Sequence, residues 1–465
     1  MKKIAIIYPE APDKTIRRAV DFLTEFILDF TLEYPLCLSV EEFCISCDYI
    51  PIYLGTKENN PAIRKLSTAH LTRPEQYHLS VKDGTVIIEG YDVSGVLFGV
   101  MDFYNKYLIP TKYAHPDINN FSIFDGELPE FSLISAPEVS ERGIWTWGHV
   151  IYDYKGFLDN MARLKLNSLI MWNDFIPFNI DEIIDYAHTL KIKVILGYSW
   201  GWDQRCKELS LDSLNGKGEE IFNKFEQEYS RLDLDGIYFQ TITELQEEYI
   251  EGKLVAEVVT DFVNNTSALF YSKYPDILIE FGLHATSVKH RLNIIGRVDK
   301  RIRIVWEDFG AMPFAYHPEE LCDYDQTLSL AKAAATLRGT DDNYGVVTKS
   351  LTCLDWSEFT HPSAPQNIGV SSDFVKENRL IRKRKAWRNS VAGWLANGEY
   401  AKQAICELVK VKQGAFSVNA LLEDGMLEEK IMYPIALFSE LLWNPDADYN
   451  VLVREIALRE YVEFA

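Results

Sequence analysis

No stretch of the 465-residue chain is apolar over the length of a membrane span, which takes about 20 residues. Positive charge is also short: 47 Lys and Arg against 69 Asp and Glu give a net charge of -22. On that balance the composition leaves no basic stripe for a phosphate backbone, and an anionic membrane surface repels the chain. Nucleic acid and membranes are thereby excluded as expected partners. Cysteine is scarce and odd in number, seven widely spread residues, so a complete disulfide framework is excluded and a reducing compartment is expected. That points to the cytoplasm, with the periplasm as the alternative should a leader precede the chain. Cys44 and Cys47 form a lone C-x-x-C with no second pair and no His at ligand spacing, which reads as two buried thiols before a zinc or redox site. Met1-Lys2-Lys3 followed by Ile4 to Tyr8 opens like a signal peptide. Pro9 and Glu10 end the apolar run, however, and it is expected to form a first strand.

Several motifs are missing as well. There is no P-loop and no H-E-x-x-H, so phosphoryl transfer and zinc proteolysis lack their parts. No G-x-G-x-x-G follows any predicted strand, and there is no internal repeat or low-complexity tract. No cofactor is expected. A metal site could be assembled from His284, Glu280 and Asp308, but no compact ligand motif supports one.

What is present is a globular balance, 47% apolar and 25% charged residues, in a chain long enough for a small domain plus a barrel of roughly 250 residues. Aromatics reach 13%, and the Trp residues gather near predicted strand ends rather than being scattered. Such surfaces suit sugars, while the alternative for any single aromatic is a place in the core.

The first segment reads strand Lys3 to Tyr8, helix Thr15 to Phe30 and strand Tyr49 to Leu54. A hairpin follows, Tyr77 to Val81 and Thr85 to Gly90 around the turn Lys82-Asp83-Gly84, and then a helix from Ser94 to Tyr107. Asn119 to Pro129 suits a linker. Beyond it strand and helix alternate, with strands at Gly143–Trp147, Ser168–Trp172, Lys193–Tyr198, Gly236–Gln240, Ile277–Gly282, Ile302–Trp306 and Gly345–Ser350, and a weaker eighth near Ala415–Asn419. So many repeats without a dinucleotide fingerprint favour a closed (β/α)8 TIM barrel over a doubly wound sheet. The expected fold class is α/β, with an N-terminal α/β domain over residues 1–125, the barrel over 138–445 and a C-terminal helix over 446–465.

Reactive groups of such barrels sit just past the C-terminal strand ends. Those positions hold Trp145, Trp147 and His149; Trp172, Asn173 and Asp174; Trp200, Trp202 and Asp203; Gln240, Thr243 and Glu244; Glu280 and His284; Trp306, Glu307 and Asp308; and Lys349, Asp355, Trp356 and Glu358. Carboxylates and Trp dominate. Glycosidic hydrolysis requires one carboxylic acid to protonate the leaving oxygen and usually a second carboxylate as base or nucleophile, while Trp faces pack on sugar C–H surfaces. Glu244 is the sharpest candidate, following an apolar-rich strand with no Lys or Arg beside it. Its alternative is a first-turn glutamate favoured by a helix dipole. Glu307 and Asp308 are candidates against a salt bridge, Asp355 and Glu358 against a helix cap.

Two segments carry a resemblance. Tyr77-His78-Leu79-Ser80-Val81 through Ile87-Ile88-Glu89-Gly90-Tyr91-Asp92-Val93-Ser94-Gly95-Val96-Leu97-Phe98-Gly99-Val100 resembles the small α/β domain preceding the barrel in hexosaminidases and α-glucuronidases. Glu440-Leu441-Leu442-Trp443-Asn444-Pro445-Asp446-Ala447-Asp448 is similar to a segment after the barrel in α-glucuronidase-like proteins. Hexosaminidases of this architecture place an Asp-Glu pair after the fourth strand, and this chain has Thr243-Glu244, so the acid matches and the assisting Asp does not. The α-glucuronidases have Glu as acid without that Asp and draw their base from later strands, which implies Glu307, Asp308, Asp355 or Glu358. A glucuronide carboxylate would also want a cation, and Lys349 is the one at these positions.

The leading expectation is an exo-acting glycoside hydrolase with Glu244 as general acid and a carboxylate of strand six or seven as partner. Trp145, Trp147, Trp172, Asn173, Asp174, Trp200, Trp202, Gln240, Glu280, His284, Trp306, Lys349 and Trp356 would line the substrate, a carbohydrate. A non-catalytic carbohydrate-binding protein on the same barrel is the alternative, and a lyase or isomerase using His284 and Lys349 ranks below both.

Overall fold

The computed structural model describes residues 3–43, 48–115, 123–201, 210–245, 247–284, 287–307, 309, 324–352, 362–412, 414–422 and 425–464. Cys44 and Cys47 lie outside them.

The chain opens with β1 (Lys3–Tyr8), whose four central residues are all buried, and a helix over Lys14–Thr31. The Asp13 side chain caps that helix by accepting from the Ile16 amide at 2.7 Å. Ile16, Ala19, Phe22, Leu23, Phe26 and Ile27 recur at helical spacing and are buried against the sheet. Strands β2 (Leu36–Ser39), β3 (Tyr49–Gly55), β4 (Tyr77–Lys82), β5 (Thr85–Gly90) and β6 (Phe131–Ser135) complete a six-stranded sheet in the order β2-β1-β3-β5-β4-β6. The β4–β5 hairpin turns through Asp83 and Gly84, at φ 49° and 72°, the pair of left-handed residues a two-residue turn requires. The two edge strands, β2 and β6, escape the hydrophobic pattern because each is at most half-buried. Because of β6 the sheet runs on to Ser135, ten residues past the boundary expected from the sequence.

The eight barrel strands are β7 (Glu141–Trp147), β8 (Ser168–Trp172), β9 (Lys193–Gly197), β10 (Gly236–Gln240), then, after a short hairpin of β11 (Tyr249–Ile250) and β12 (Lys253–Leu254), β13 (Ile279–Leu283), β14 (Arg303–Trp306), β15 (Tyr344–Leu351) and β16 (Phe416–Leu422). All pair in parallel and close, β16 bonding to β7. The architecture is a (β/α)8 barrel behind an α/β domain. Alternate residues point inward: Trp145, Ile170, Ile195, Tyr238, Val305, Val347 and Leu421 form the interior cluster, separate from the larger core between strands and helices.

Charge closes the bottom of the barrel. Arg303 Nη1 and Nη2 donate to Glu141 at 2.7 and 2.6 Å, and Nη1 also to Glu280 at 2.5 Å, with Lys193 Nζ 3.2 Å from Glu141. Glu280, expected at the mouth, therefore belongs to the opposite end. It is the second residue of β13 rather than the last, because the strand starts two residues later than its apolar run suggests.

A second buried network joins the domains. Lys165 reaches Asp102 at 2.8 Å and Arg459 reaches Glu440 at 2.7 Å. Trp443 packs between Tyr77 and Phe98 and donates to Ser135 at 2.8 Å. The Glu440–Asp448 motif is thus structural: it ends the helix Tyr433–Trp443 and supplies Asp448 as the cap of Tyr449–Ala457. A 39-residue helix, Asp373–Val411, precedes β16 and has no counterpart in the sequence reading. Its first half also corrects the charge argument, since Lys376 to Arg388 hold seven cations and one carboxylate. Whole-chain charge conceals such a local stripe.

Candidate active site

The carboxyl ends of β10, β13 and β14 converge on one polar cluster. Strand alternation sends Tyr238 and Gln240, two residues apart on β10, to the same inward face. Tyr238 donates its hydroxyl to Glu307, and Gln240 Nε2 stands 2.8 Å from each Glu307 oxygen. Glu307 follows β14 directly and is 4% exposed. Complete burial, and next the negative charge of Glu307, hold the Tyr238 phenol well above its ordinary value, so it remains a donor.

Glu244 ends a one-turn 3-10 helix, Ile242–Glu244, after β10. His284, one residue past β13, bridges the two glutamates: its Nε2 lies 3.2 Å from Glu244 Oε1 and 2.8 Å from Glu307 Oε2. Those two oxygens are accordingly separated by no more than the sum of the two distances, about 6 Å. The loops bearing Glu244 and His284 are tied through Thr243, whose carbonyl accepts from the Ser287 hydroxyl at 3.0 Å and its amide at 3.3 Å. Gly282 provides the space: a Cβ there would overlap both Glu307 Oε1 and the Tyr238 hydroxyl.

Aromatic rings flank this cluster. Trp145 and Trp172 lie nearly parallel with centroids 6.2 Å apart, Trp147 meets Trp145 edge-on at 5.1 Å, and Tyr238 stands 6.1 Å from Trp145. Gly197 makes room for the Trp172 ring. His149, Asn173 and Asp174 line a neighbouring depression. The Asn173 amide nitrogen is buried there with no acceptor among the described residues. Lys349 is buried and alternates along β15 with Thr348 and Ser350, which face the outer helices.

The structure thus brings together Glu244, Glu307, Gln240 and His284, with Trp145, Trp147, Trp172, Asn173, Asp174 and Lys349 at the same end. Others it places elsewhere. Trp200 is fully buried outside the barrel, stacked at 3.8 Å on Phe239 and 5.3 Å on Phe270. Trp306 is also fully buried in the outer core, because its neighbour Val305 takes the inward position. Both correct the expectation of sugar platforms, and Glu280 is corrected by its place at the barrel bottom. Asp308, Asp355, Trp356, Glu358, Trp202 and Asp203 lie outside the described residues. Tyr238 is the site residue that sequence reasoning missed. The signal was a polar ring two positions before Gln240 in an otherwise apolar strand. Among the described residues no cluster of His, Cys, Asp and Glu has metal-holding geometry.

No protein-family model matches the chain, and no curated protein matches it. Solved structures do. The chain superposes over 96% of its length on a GH138 enzyme targeting pectin rhamnogalacturonan II, with a TM-score of 0.51 and 12% identity. It covers 51% of that enzyme, about half its length. A β-N-acetylhexosaminidase from Bacteroides fragilis NCTC 9343 matches over 96% of this chain and 88% of its own, with a TM-score of 0.53 and 13% identity. CpGH84B matches over 98% and 70%, at 0.53 and 12%. The likeness is one of fold. These structural neighbours are glycoside hydrolases, and the chain shares with them the barrel and the α/β domain in front of it.

Proposed function

We propose that this protein is a glycoside hydrolase in which Glu244 protonates the leaving-group oxygen and Glu307 serves as the second carboxylate. One observation carries the reading: two carboxylates from different strands meet the same His284 nitrogen, so their nearest oxygens lie within about 6 Å. Glycosidases separate their pair by about 5 to 9.5 Å, the span of an anomeric centre with or without an intervening water. The roles follow from surroundings. Glu307 already accepts from Tyr238 and Gln240, which suits a fixed base or nucleophile. Glu244 has a side chain 19% exposed, against 6% for Glu307, and is the one open to an incoming oxygen.

The aromatic wall of Trp145, Trp147 and Trp172 offers faces to a sugar ring, and the Asn173 amide, without an acceptor among the described residues, offers a donor to a hydroxyl. The substrate in this reading is the terminal sugar of a glycan, with Lys349 as the cation a uronate carboxylate would meet. The shared fold supports the class of reaction, at identities that leave the sugar to experiment.

The test is a panel of nitrophenyl glycosides and uronides with the wild type, Glu244→Gln and Glu307→Gln. Each variant is expected to lower kcat by about 10²- to 10⁴-fold with its circular dichroism spectrum unchanged. Full turnover by Glu244→Gln would remove it as the acid. A wild type that binds sugars but releases no product from any panel member would establish the carbohydrate-binding alternative instead.

A further inference from the structure

The half-helix from Lys376 to Arg388 stands apart from the rest of this acidic chain. It carries Lys376, Arg379, Arg382, Lys383, Arg384, Lys385 and Arg388 against the single carboxylate of Glu377. Arg382, Arg384, Lys385 and Arg388 are exposed. For Arg384, Lys385 and Arg388 no ion pair exists among the described residues. Holding unpaired cations together in this way is costly for folding alone, and it makes a local attractive field on a molecule whose net charge is -22.

Its position relates it to the barrel mouth. The segment leading into the helix is laced to the loop after β7, with Gly369 N donating to Ile151 O and Ser371 N to Tyr152 O, each at 3.0 Å. Arg379 donates to the Tyr152 hydroxyl at 2.8 Å. The basic half therefore flanks the same barrel end that holds Glu244 and Glu307. Beside it lies a cavity of about 560 Å3 whose lining includes the cations Lys376, Arg384, Arg388 and Lys430 and the carboxylates Glu428, Glu429 and Glu463, with Lys430 Nζ 3.8 Å from Glu463. Trp387 is 6% exposed, and its indole nitrogen is buried without an acceptor among the described residues.

We propose that this helix and its cavity form an accessory site that holds the carboxylate or sulfate groups of an acidic glycan whose terminal sugar enters the barrel. The inference rests on the hydrolase reading for the nature of the chain held, though not for the site itself. Arginine forks match carboxylate and sulfate geometry. The acidic remainder of the surface opposes the broad contact that duplex nucleic acid or an anionic bilayer would make.

The experiment measures binding of polygalacturonate, dextran sulfate and neutral dextran by affinity electrophoresis, for the full chain at low and raised salt. The expected result is retention by one or both anionic polymers, little by dextran, and weakening with salt. Which polymer binds better distinguishes carboxylate from sulfate. The triple variant Arg384→Gln, Lys385→Gln, Arg388→Gln should lose at least tenfold in affinity, and Trp387→Phe should lose less. Nitrophenyl-glycoside turnover should be unchanged in both, which shows that the fold is intact. Equal retention by neutral dextran, an unweakened triple variant, or tighter binding of a DNA duplex or phosphatidylserine vesicles would each overturn the proposal. If anionic polymers bind through these residues while no glycoside is cleaved, the accessory site stands and the hydrolase reading falls.

Discussion

Replacing Tyr238 by Phe isolates one interaction at the centre of the site. The ring is fully buried and stands 6.1 Å from Trp145 and 6.5 Å from Trp172, and Phe keeps that packing. What disappears is the hydroxyl donated to Glu307. A hydrogen bond to a charged group contributes about 1.5–3 kcal/mol. Glu307 is not stranded, because Gln240 remains 2.8 Å from both oxygens and His284 2.8 Å from one. The expected loss of folding stability is therefore about 1.5–3 kcal/mol, the value for one bond, and not the larger penalty of an unpaired buried charge. In a substrate assay the same bond fixes the angle of the second carboxylate, so kcat should fall by about tenfold or more, each 1.4 kcal/mol added to the barrier being about a factor of ten. Urea denaturation measures the first quantity and initial rates the second. A variant with wild-type stability and wild-type turnover would refute the placement of Tyr238 as the donor that holds Glu307.

Gly282→Ala should damage the same site from the other side, because its Cβ would overlap Glu307 Oε1 and the Tyr238 hydroxyl. A loss of about 1–3 kcal/mol from overpacking, with turnover falling further than in Tyr238→Phe, is expected from thermal melts and rates; an active, unshifted variant would contradict it. At the barrel bottom, Arg303→Met leaves Glu141 and Glu280 buried without their shared cation and should cost about 3–5 kcal/mol in chemical denaturation. The same network sets an acid limit. Burial pushes Glu141 up, but Arg303 and Lys193 outweigh it and hold the carboxyl at about 2 against an ordinary 4.5. Its contribution is complete above the ordinary value and is lost as pH falls toward about 2, up to about 3 kcal/mol in all. Glu280, raised by burial, acts in the opposite sense and reduces the net loss. The stability difference between wild type and Glu141→Gln should shrink as pH falls from 5 to 2, and a difference that stays constant would show that Glu141 is not held by Arg303.

Much of the architecture was legible because it is written in local pattern. Eight apolar runs alternating with helical periodicity announce a closed barrel, and the Lys82-Asp83-Gly84 turn announces its hairpin, since Gly84 meets a backbone requirement that no contact elsewhere can alter. Glu244, Glu307, Gln240 and His284 all fall at the C-terminal ends of apolar strand patterns, and parallel topology alone puts those positions at one rim. The sequence could not say which side of a strand a residue faces once both sides are apolar. Trp200 and Trp306 point outward into the helix layer, and Glu280 sits at the floor because its strand starts two residues later than its apolar run suggests. Nor could it show the meeting of Glu244 and Glu307 at His284, three residues from three strands whose approach depends on barrel closure and on the empty side of Gly282. Local chemistry decided which residues were available; the register of the closed sheet decided which of them touch.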